Sequence, residues 1–340
     1  MRLLHILLFV VVWVVPTIAQ EQWYFYVDER YPAERNQLQG KQRILVVNNA
    51  LSQPHDFGHT TVVDGENSGA VQVDLNRSNL YCLFSITQTM ERSGAFEVVE
   101  LLDRTQNTSN NYYARQPLSF AQAERLCAEY QAEALLVLNQ LVLYDIVESF
   151  PTDEGAYYAY LQAYAQSHWT IHYAGQSREA SFTQADTLLW ESRLHYTRTQ
   201  SLSDLPSRQE ALLHLSQELG SRLGNSFVPS WQNSRRYIYD MPTPHLQAGL
   251  NAFRIQRWQD AIGEWQLAMG KEDKKAAACA AANMAIAYEM QGDYASACDY
   301  AHHAIRLFGV WKTAYGRQQQ ANIRYYLAHL QDRQARERDL

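Results

Sequence analysis

Through the first two thirds of this chain, short continuous apolar runs alternate with helically spaced ones; after Thr243 only the helical period remains. Ile44-Leu45-Val46-Val47 predicts a buried strand. Leu80, Leu83, Phe84, Thr87 and Met90 recur at helical spacing, with Gly94 as the C-terminal stop. Phe96 to Leu101 predicts the next strand. Ser119 and Gln122 predict a capping-box start for a helix whose apolar face is Phe120, Ala123, Leu126, Cys127 and Tyr130. Ala134 to Tyr144 (ALLVLNQLVLY) is the strongest strand. Tyr157 to Tyr173 sets Leu161, Ala163 and Ala165 against Gln162, Tyr164 and Gln166, a long strand or hairpin, and Thr187 to Ser192 adds another strand. A helix with the stripe Leu212, Leu215, Leu219 and Leu223 runs from Pro206 to Gly224. Glu21 to Gln42 is polar and aromatic, and Ser52 to Asn76 has loop composition, rich in Pro, Gly, Asp, Asn and His. Phe227 to Trp231 is expected to lead into a linker. The order strand, helix, strand, helix, strand predicts an α/β (or α+β) domain with a mixed sheet at about 40–235.

From Thr243 an internal repeat appears. Gly249, Trp258, Ala261 and Ala268 are followed 36 residues later by Ala285, Tyr294, Ala297 and Ala304, and small residues recur where two antiparallel helices must touch. The second unit, Ala282 to Ala297, resembles the tetratricopeptide repeat at Ala285, Tyr288, Gly292, Asp293, Tyr294 and Ala297, and again at Ala304. It departs from that motif at Ala301, where the family prefers an aromatic; in the first unit Ala252 stands at the usual aromatic position, with Phe253 beside it. The resemblance implies an all-α domain of two hairpins and a trailing helix at about 243–335. It also implies a groove for extended peptides, lined by Leu246, Leu250, Phe253 and Arg254 from the first unit and Ala282, Ile286, Glu289 and Met290 from the second. Burial of that face against a neighbouring part of the chain is the competing expectation.

The beginning of the chain changes the compartment. Arg2, the apolar run Ile6 to Val15, Pro16 and the small-residue site Thr17-Ile18-Ala19 predict a signal peptide over 1–19, with Gln20 as the first mature residue. An exported protein, periplasmic or envelope-associated and without a membrane span after leader removal, is the expectation. The formal net charge of −7 argues against a nucleic-acid partner. Arg333 to Arg338, a basic run broken by Glu337, is expected to be a solvated helix end. Cys82 and Cys127 fall on successive predicted helices, so both a disulfide and two buried thiols are open.

The whole chain also resembles an uncharacterised family of exported bacterial proteins in which an α/β domain precedes tetratricopeptide repeats. Val228-Pro229-Ser230-Trp231, Arg235-Arg236-Tyr237, Trp258, Ala261 and Trp265 carry that resemblance, with Asn283-Met284-Ala285 through Gly292-Asp293. Many of its members resemble outer-membrane lipoproteins, and no Cys follows the leader here. More loosely, the first domain's order of elements is similar to that of curli-secretion and peptidoglycan-synthase-activator lipoproteins.

The chain contains no glycine-rich phosphate loop after a strand, no nucleophile elbow, no CxxC and no HExxH. The nearest approach to a metal cluster is His55 and His59 with Asp56 and Asp64, in predicted loop; His302 and His303 are adjacent and diverge on a helix. Asp145 and Glu148 lie just past the strongest strand, where α/β enzymes place carboxylates. The expectation is therefore a non-enzymatic scaffold or assembly factor that meets a protein partner, with no catalytic residue, metal or cofactor. Its rivals are a regulatory module of an envelope synthase or secretion pore acting through the α/β domain, and an enzyme with a site at the carboxyl ends of its strands.

Overall fold

The structure is a computed structural model, and it describes residues 21–271 and 273–339. The expected leader, 1–19, lies outside them. An α/β region is followed by an all-helical one, as the patterning predicts. Two units can be distinguished: Tyr31–Ser230, and a second formed by the chain from Trp231 onward together with the N-terminal stretch through Arg30.

The first unit is built around one long strand. β6 (Ala134–Pro151) serves two parallel neighbours on one edge: β2 (Arg43–Asn48) lies beside Ala134–Leu138, and β3 (His59–Val63) beside Asp145–Ser149. β5 (Val98–Leu102) extends the sheet beyond β2, and β4 (Glu66–Ala70) beyond β3. On the other edge β6 pairs antiparallel with β7 (Tyr157–Tyr173), which pairs with β8 (Glu179–Glu191). Between β2 and β3 the amide of Gln53 stands in for a strand residue, accepting from Leu143 N at 2.8 Å and donating to Leu143 O at 2.7 Å. Buried backbone groups must be paired, and a side-chain amide carries both a donor and an acceptor in the spacing needed.

Period two along β2 and β6 separates two cores. Ile44, Val46, Leu136 and Leu138 face α1 (Ser78–Arg92) and α4 (Arg208–Ser226); Leu45, Val47, Leu135 and Val137 face α2 (Phe120–Tyr130). Among the described residues no helix covers the α2 face of the sheet beyond Val137. Gly220 lets α4 touch α1, since a Cβ there would lie 2.1 Å from the Cys82 carbonyl oxygen.

Several expectations are corrected here. Ser52 to Asn76 contains the β3–β4 hairpin, turned by Asp64 (φ 54°) and Gly65 (φ 82°). β6 runs through Asp145 and Glu148 to Pro151, because β7 pairs with it along its whole length. A short helix, α3 (Arg198–Ser203), precedes α4, and α4 starts at a Ser207–Glu210 capping box, one residue beyond Pro206. Cys82 and Cys127 belong to the two separate cores and are not bridged; burial pushes their thiols up to about 12 and about 11, Glu124 adding to the second.

In the second unit α5 (Pro244–Arg254) with α6 (Trp258–Lys271) and α7 (Lys274–Met290) with α8 (Tyr294–Gly309) form two hairpins, and α9 (Ala314–Asp339) trails them. The small residues sit at helix contacts. Ala261, Ala268, Ala285, Ala297 and Ala304 are buried, and a Cβ on Gly249 would meet the Trp265 indole at 2.3 Å. The polar aromatic stretch and the expected linker are both strands: β1 (Glu21–Tyr31) and β9 (Ser230–Asp240) pair as a two-stranded ribbon. Trp23 and Phe25 of β1 and Ile238 and Tyr239 of β9 join the helices in one apolar core.

Candidate functional site

The ribbon lies on the inner face of the hairpins, where the sequence places a peptide groove. Asn283, in the middle of α7 and fully buried, holds both backbone groups of Tyr239 in β9: its Oδ1 accepts from Tyr239 N at 2.8 Å and its Nδ2 donates to Tyr239 O at 2.9 Å. Phe253 of α5 packs on Phe25 and Trp23 of β1, with ring centroids at 5.4 and 6.5 Å. The predicted groove residues Leu246, Leu250, Phe253, Ala282, Ile286 and Glu289 are accordingly buried, Met290 is half-buried, and Arg254 is exposed with its guanidinium over Trp23.

Glu289 does something the groove reading did not foresee. With Glu29 of β1 it brackets Arg236 of β9, and all three side chains are 4% exposed or less. Arg236 donates to both oxygens of Glu289, at 2.7 and 2.9 Å, and to Glu29. Four residues of α9 close the network. Tyr326 donates to Glu289 at 2.9 Å and Arg333 to Glu289 at 2.8 Å; His329 lies 2.9 Å from Glu29, and Arg336 donates to Glu29 at 3.0 Å. Arg333 and Arg336 are therefore anchored inward, which corrects the reading of that run as a solvated end. Spacing carried the missed signal: Tyr326, His329, Arg333 and Arg336 recur at three and four residues, so they share one helix face.

Burial alone would raise the Glu29 carboxyl; the hydrogen bond from His329 and the Arg236 charge outweigh it and hold the group at about 2. A carboxyl depressed from 4.5 contributes stability that is complete above pH 4.5 and is lost as pH falls toward 2. Across that window the native chain should lose on the order of 3 kcal/mol more than Glu29→Gln does. Denaturant titrations of the two proteins at steps between pH 5 and pH 2 measure this, and parallel losses would refute it.

Beside the network a cleft of about 260 Å³ opens between β9, α7 and α9, lined by Arg235, Tyr237, Ile286, Ile323, Tyr325 and Tyr326 among others. It continues onto the outer face of the ribbon. β1 alternates Trp23, Phe25, Val27 and Glu29 inward with Tyr24, Tyr26, Asp28 and Arg30 outward. Tyr24 and Tyr26 are 54% and 60% exposed, Tyr237 38% and Tyr325 80%. Arg235 ties them together, its guanidinium 5.9 Å from the Tyr24 ring and 4.8 Å from that of Tyr237.

The first unit's candidate groups are spent within it. His59 is buried on β3, its Nδ1 2.6 Å from Asp145, whose other oxygen pairs with Arg208. His55 is exposed, 3.6 Å from Asp74, so the two histidines diverge. Asp56 is exposed, and Asp64 binds Arg198 at 2.6 Å. Glu148 accepts from Tyr160. At the carboxyl end of β2, Asn48 and Asn49 donate to the carbonyls of Asp103 and Gln116 and so hold the loop that follows β5. In the helical unit His302 is exposed and His303 half-buried on α8. Among the described residues no group of three or more His, Cys, Asp or Glu could hold a metal ion, and no helix is long and apolar enough to cross a membrane.

Residues 41–239 match the family described as a domain of unknown function, DUF8603, and the chain belongs to that family. Residues 247–332 match a second domain of unknown function, DUF6340. No curated protein matches the chain. Two solved structures align with 59% of it: a PelC dodecamer from Paraburkholderia phytofirmans, at 11% identity over 98% of that protein's chain, and a substituted PelC dodecamer from the same organism, at 10% over 99%. Both superpose with a TM-score of 0.22, too low for an argument about this chain.

Proposed function

We propose that this chain is a non-enzymatic exported protein of the cell envelope, a scaffold or assembly factor, that meets a protein partner through the outer face of its ribbon. The helical unit is then a short tetratricopeptide array whose groove is filled in cis by β9. Two things support the tetratricopeptide reading: the 36-residue repeat of small contact residues, and the grip of Asn283 on both backbone groups of Tyr239. With the inner face covered, binding passes to what the ribbon presents outward. The observation that carries the proposal is the run of exposed Tyr24, Tyr26, Tyr237 and Tyr325 around Arg235 at the mouth of the cleft. Tyrosine and arginine with this exposure and stacking are the residues on which binding energy concentrates in protein interfaces.

Site-specific photo-crosslinking in the native cell tests it. A photoreactive residue at 26 or 237 should capture the same protein, and one at the buried position 250 should capture none. Tyr26→Ser with Tyr237→Ser should weaken that capture by about 30-fold or more, the equivalent of one hot spot, without moving the melting curve. Capture at 250 but not at 26 or 237 would return the site to the groove. N-terminal sequencing of the native protein tests export: Gln20 as the first residue, within a residue or two, is expected, and an intact Met1 would sink it.

A further inference from the structure

The sheet face that no helix covers beyond Val137 carries side chains in registered rows. Glu148, Tyr160 and Glu191 form one end row, Tyr144, Tyr164 and Thr187 the middle, and Gln140, His168 and Thr183 the other end. Ile146, Gln162 and Leu189 lie between the first two rows. An antiparallel sheet with one face in water alternates polar residues onto that face. Here the face holds Tyr144, Ile146, Tyr160 and Tyr164, all half-buried, with Leu189 at 53% exposure. These side chains form an apolar centre on the face, interrupted by Gln162 and edged by the Glu, Gln, His and Thr side chains of the rows.

The two ends differ in charge. At one, Glu148 and Glu191 each accept a hydrogen bond from a neighbouring tyrosine, Tyr160 and Tyr158. At the other, Arg115 from the loop after β5 is exposed and lies 3.1 Å from His168 Nδ1. Burial, then the charge of Arg115, hold His168 below its ordinary value, so Arg115 is the cation at this end. Tyr160 and His168 stand four residues either side of Tyr164, about 13 Å each at strand rise.

That symmetry of spacing with opposite charge is what a two-fold axis requires. We propose that this face packs on the same face of a second copy of the chain. The axis passes by Tyr164 and runs across the strands, so that Arg115 of each copy meets the Glu148–Glu191 row of the other. Three strands across, four where β3 lies beside β6 at the Glu148 end, and about eight residues along, the face measures roughly 14–20 by 27 Å. The pair then covers on the order of 800–1,000 Å² in total, the lower end of specific association. The proposal is independent of the ribbon and its partner.

Sedimentation velocity of the mature full-length protein at micromolar concentration and moderate salt tests it. The native chain should sediment as a dimer. Tyr164→Glu should be monomeric with an unchanged melting curve. Arg115→Glu and Glu191→Arg should each weaken self-association by about 100-fold, through like charges set face to face. Mixed in equal amounts, those two variants should recover the dimer, because both contacts of the mixed pair are then complementary. A native monomer, a Tyr164→Glu dimer, or two weakened variants whose mixture stays monomeric would each overturn the proposal; a mis-folded variant cannot imitate the recovery on mixing.

Discussion

Arg236→Met should destabilise the helical unit by about 3–5 kcal/mol, the cost of removing one member of a buried ionic group and leaving the rest uncompensated. Arg236 donates to both Glu29 and Glu289, each of which is 0% exposed, and Arg333 is a second cation within 4 Å of both. Arg333, Arg336 and His329 approach the same carboxylates from α9, so part of the lost charge is made up. Arg236 ties β9 to both carboxylates, so the variant also loosens the ribbon. The net cost comes from stranded carboxylates, and a second variant shows it: adding Glu29→Gln and Glu289→Gln to Arg236→Met should recover part of the loss, since the three sites are coupled. Urea unfolding followed by helical circular dichroism measures both. A single variant within 1 kcal/mol of the native protein would show that the group is not buried as described.

The parts of this fold that were legible in the sequence are those whose partners lie nearby. The apolar run of β6, period two in β7, helical spacing in α1 and α4, and the Ser119–Gln122 cap all report local chemistry, and each of these elements appears in the structure, β6 running on to Pro151 and α4 starting after Pro206. The ribbon was not legible. Its strands lie some 200 residues apart, and β1 carries large rings on both faces, Trp23 and Phe25 inward and Tyr24 and Tyr26 outward. A binary pattern of apolar against polar therefore shows no alternation, and the inward Glu29 and Arg236 read as surface charges. The Asp64-Gly65 pair did signal a hairpin but stood in a stretch whose composition suggested loop. Leu246, Leu250, Phe253, Ala282 and Ile286 of α5 and α7 lie in the core that β1 and β9 join, and neither strand carries a local signal that it would do so.

Leu250→Glu and Ile286→Glu should each unfold the helical unit. The two positions are 36 residues apart, equivalent in the two hairpins, and 0% and 3% exposed. Leu250 is packed in the core that joins α5, α6 and β9; Ile286 borders the cleft, one turn before Glu289 on α7. A carboxylate at 250 enters an apolar site; at 286 it faces the negative charge of Glu289 across that turn and competes with Glu29 and Glu289 for the Arg236 guanidinium that lines the same cleft. Losing the apolar side chain costs about 2 kcal/mol and stranding a charge about 3–5 more. The total is comparable to the whole stability of a domain, typically about 5–15 kcal/mol. The expected result is a melting transition lowered by tens of degrees or abolished, with loss of helical circular dichroism. Tyr26→Ser with Tyr237→Ser, on the outer face, keeps the native transition and serves as the contrast. If Leu250→Glu and Ile286→Glu melted like the native protein while partner capture disappeared, the inner face would be an open groove, and the ribbon would have to leave it when the partner arrives.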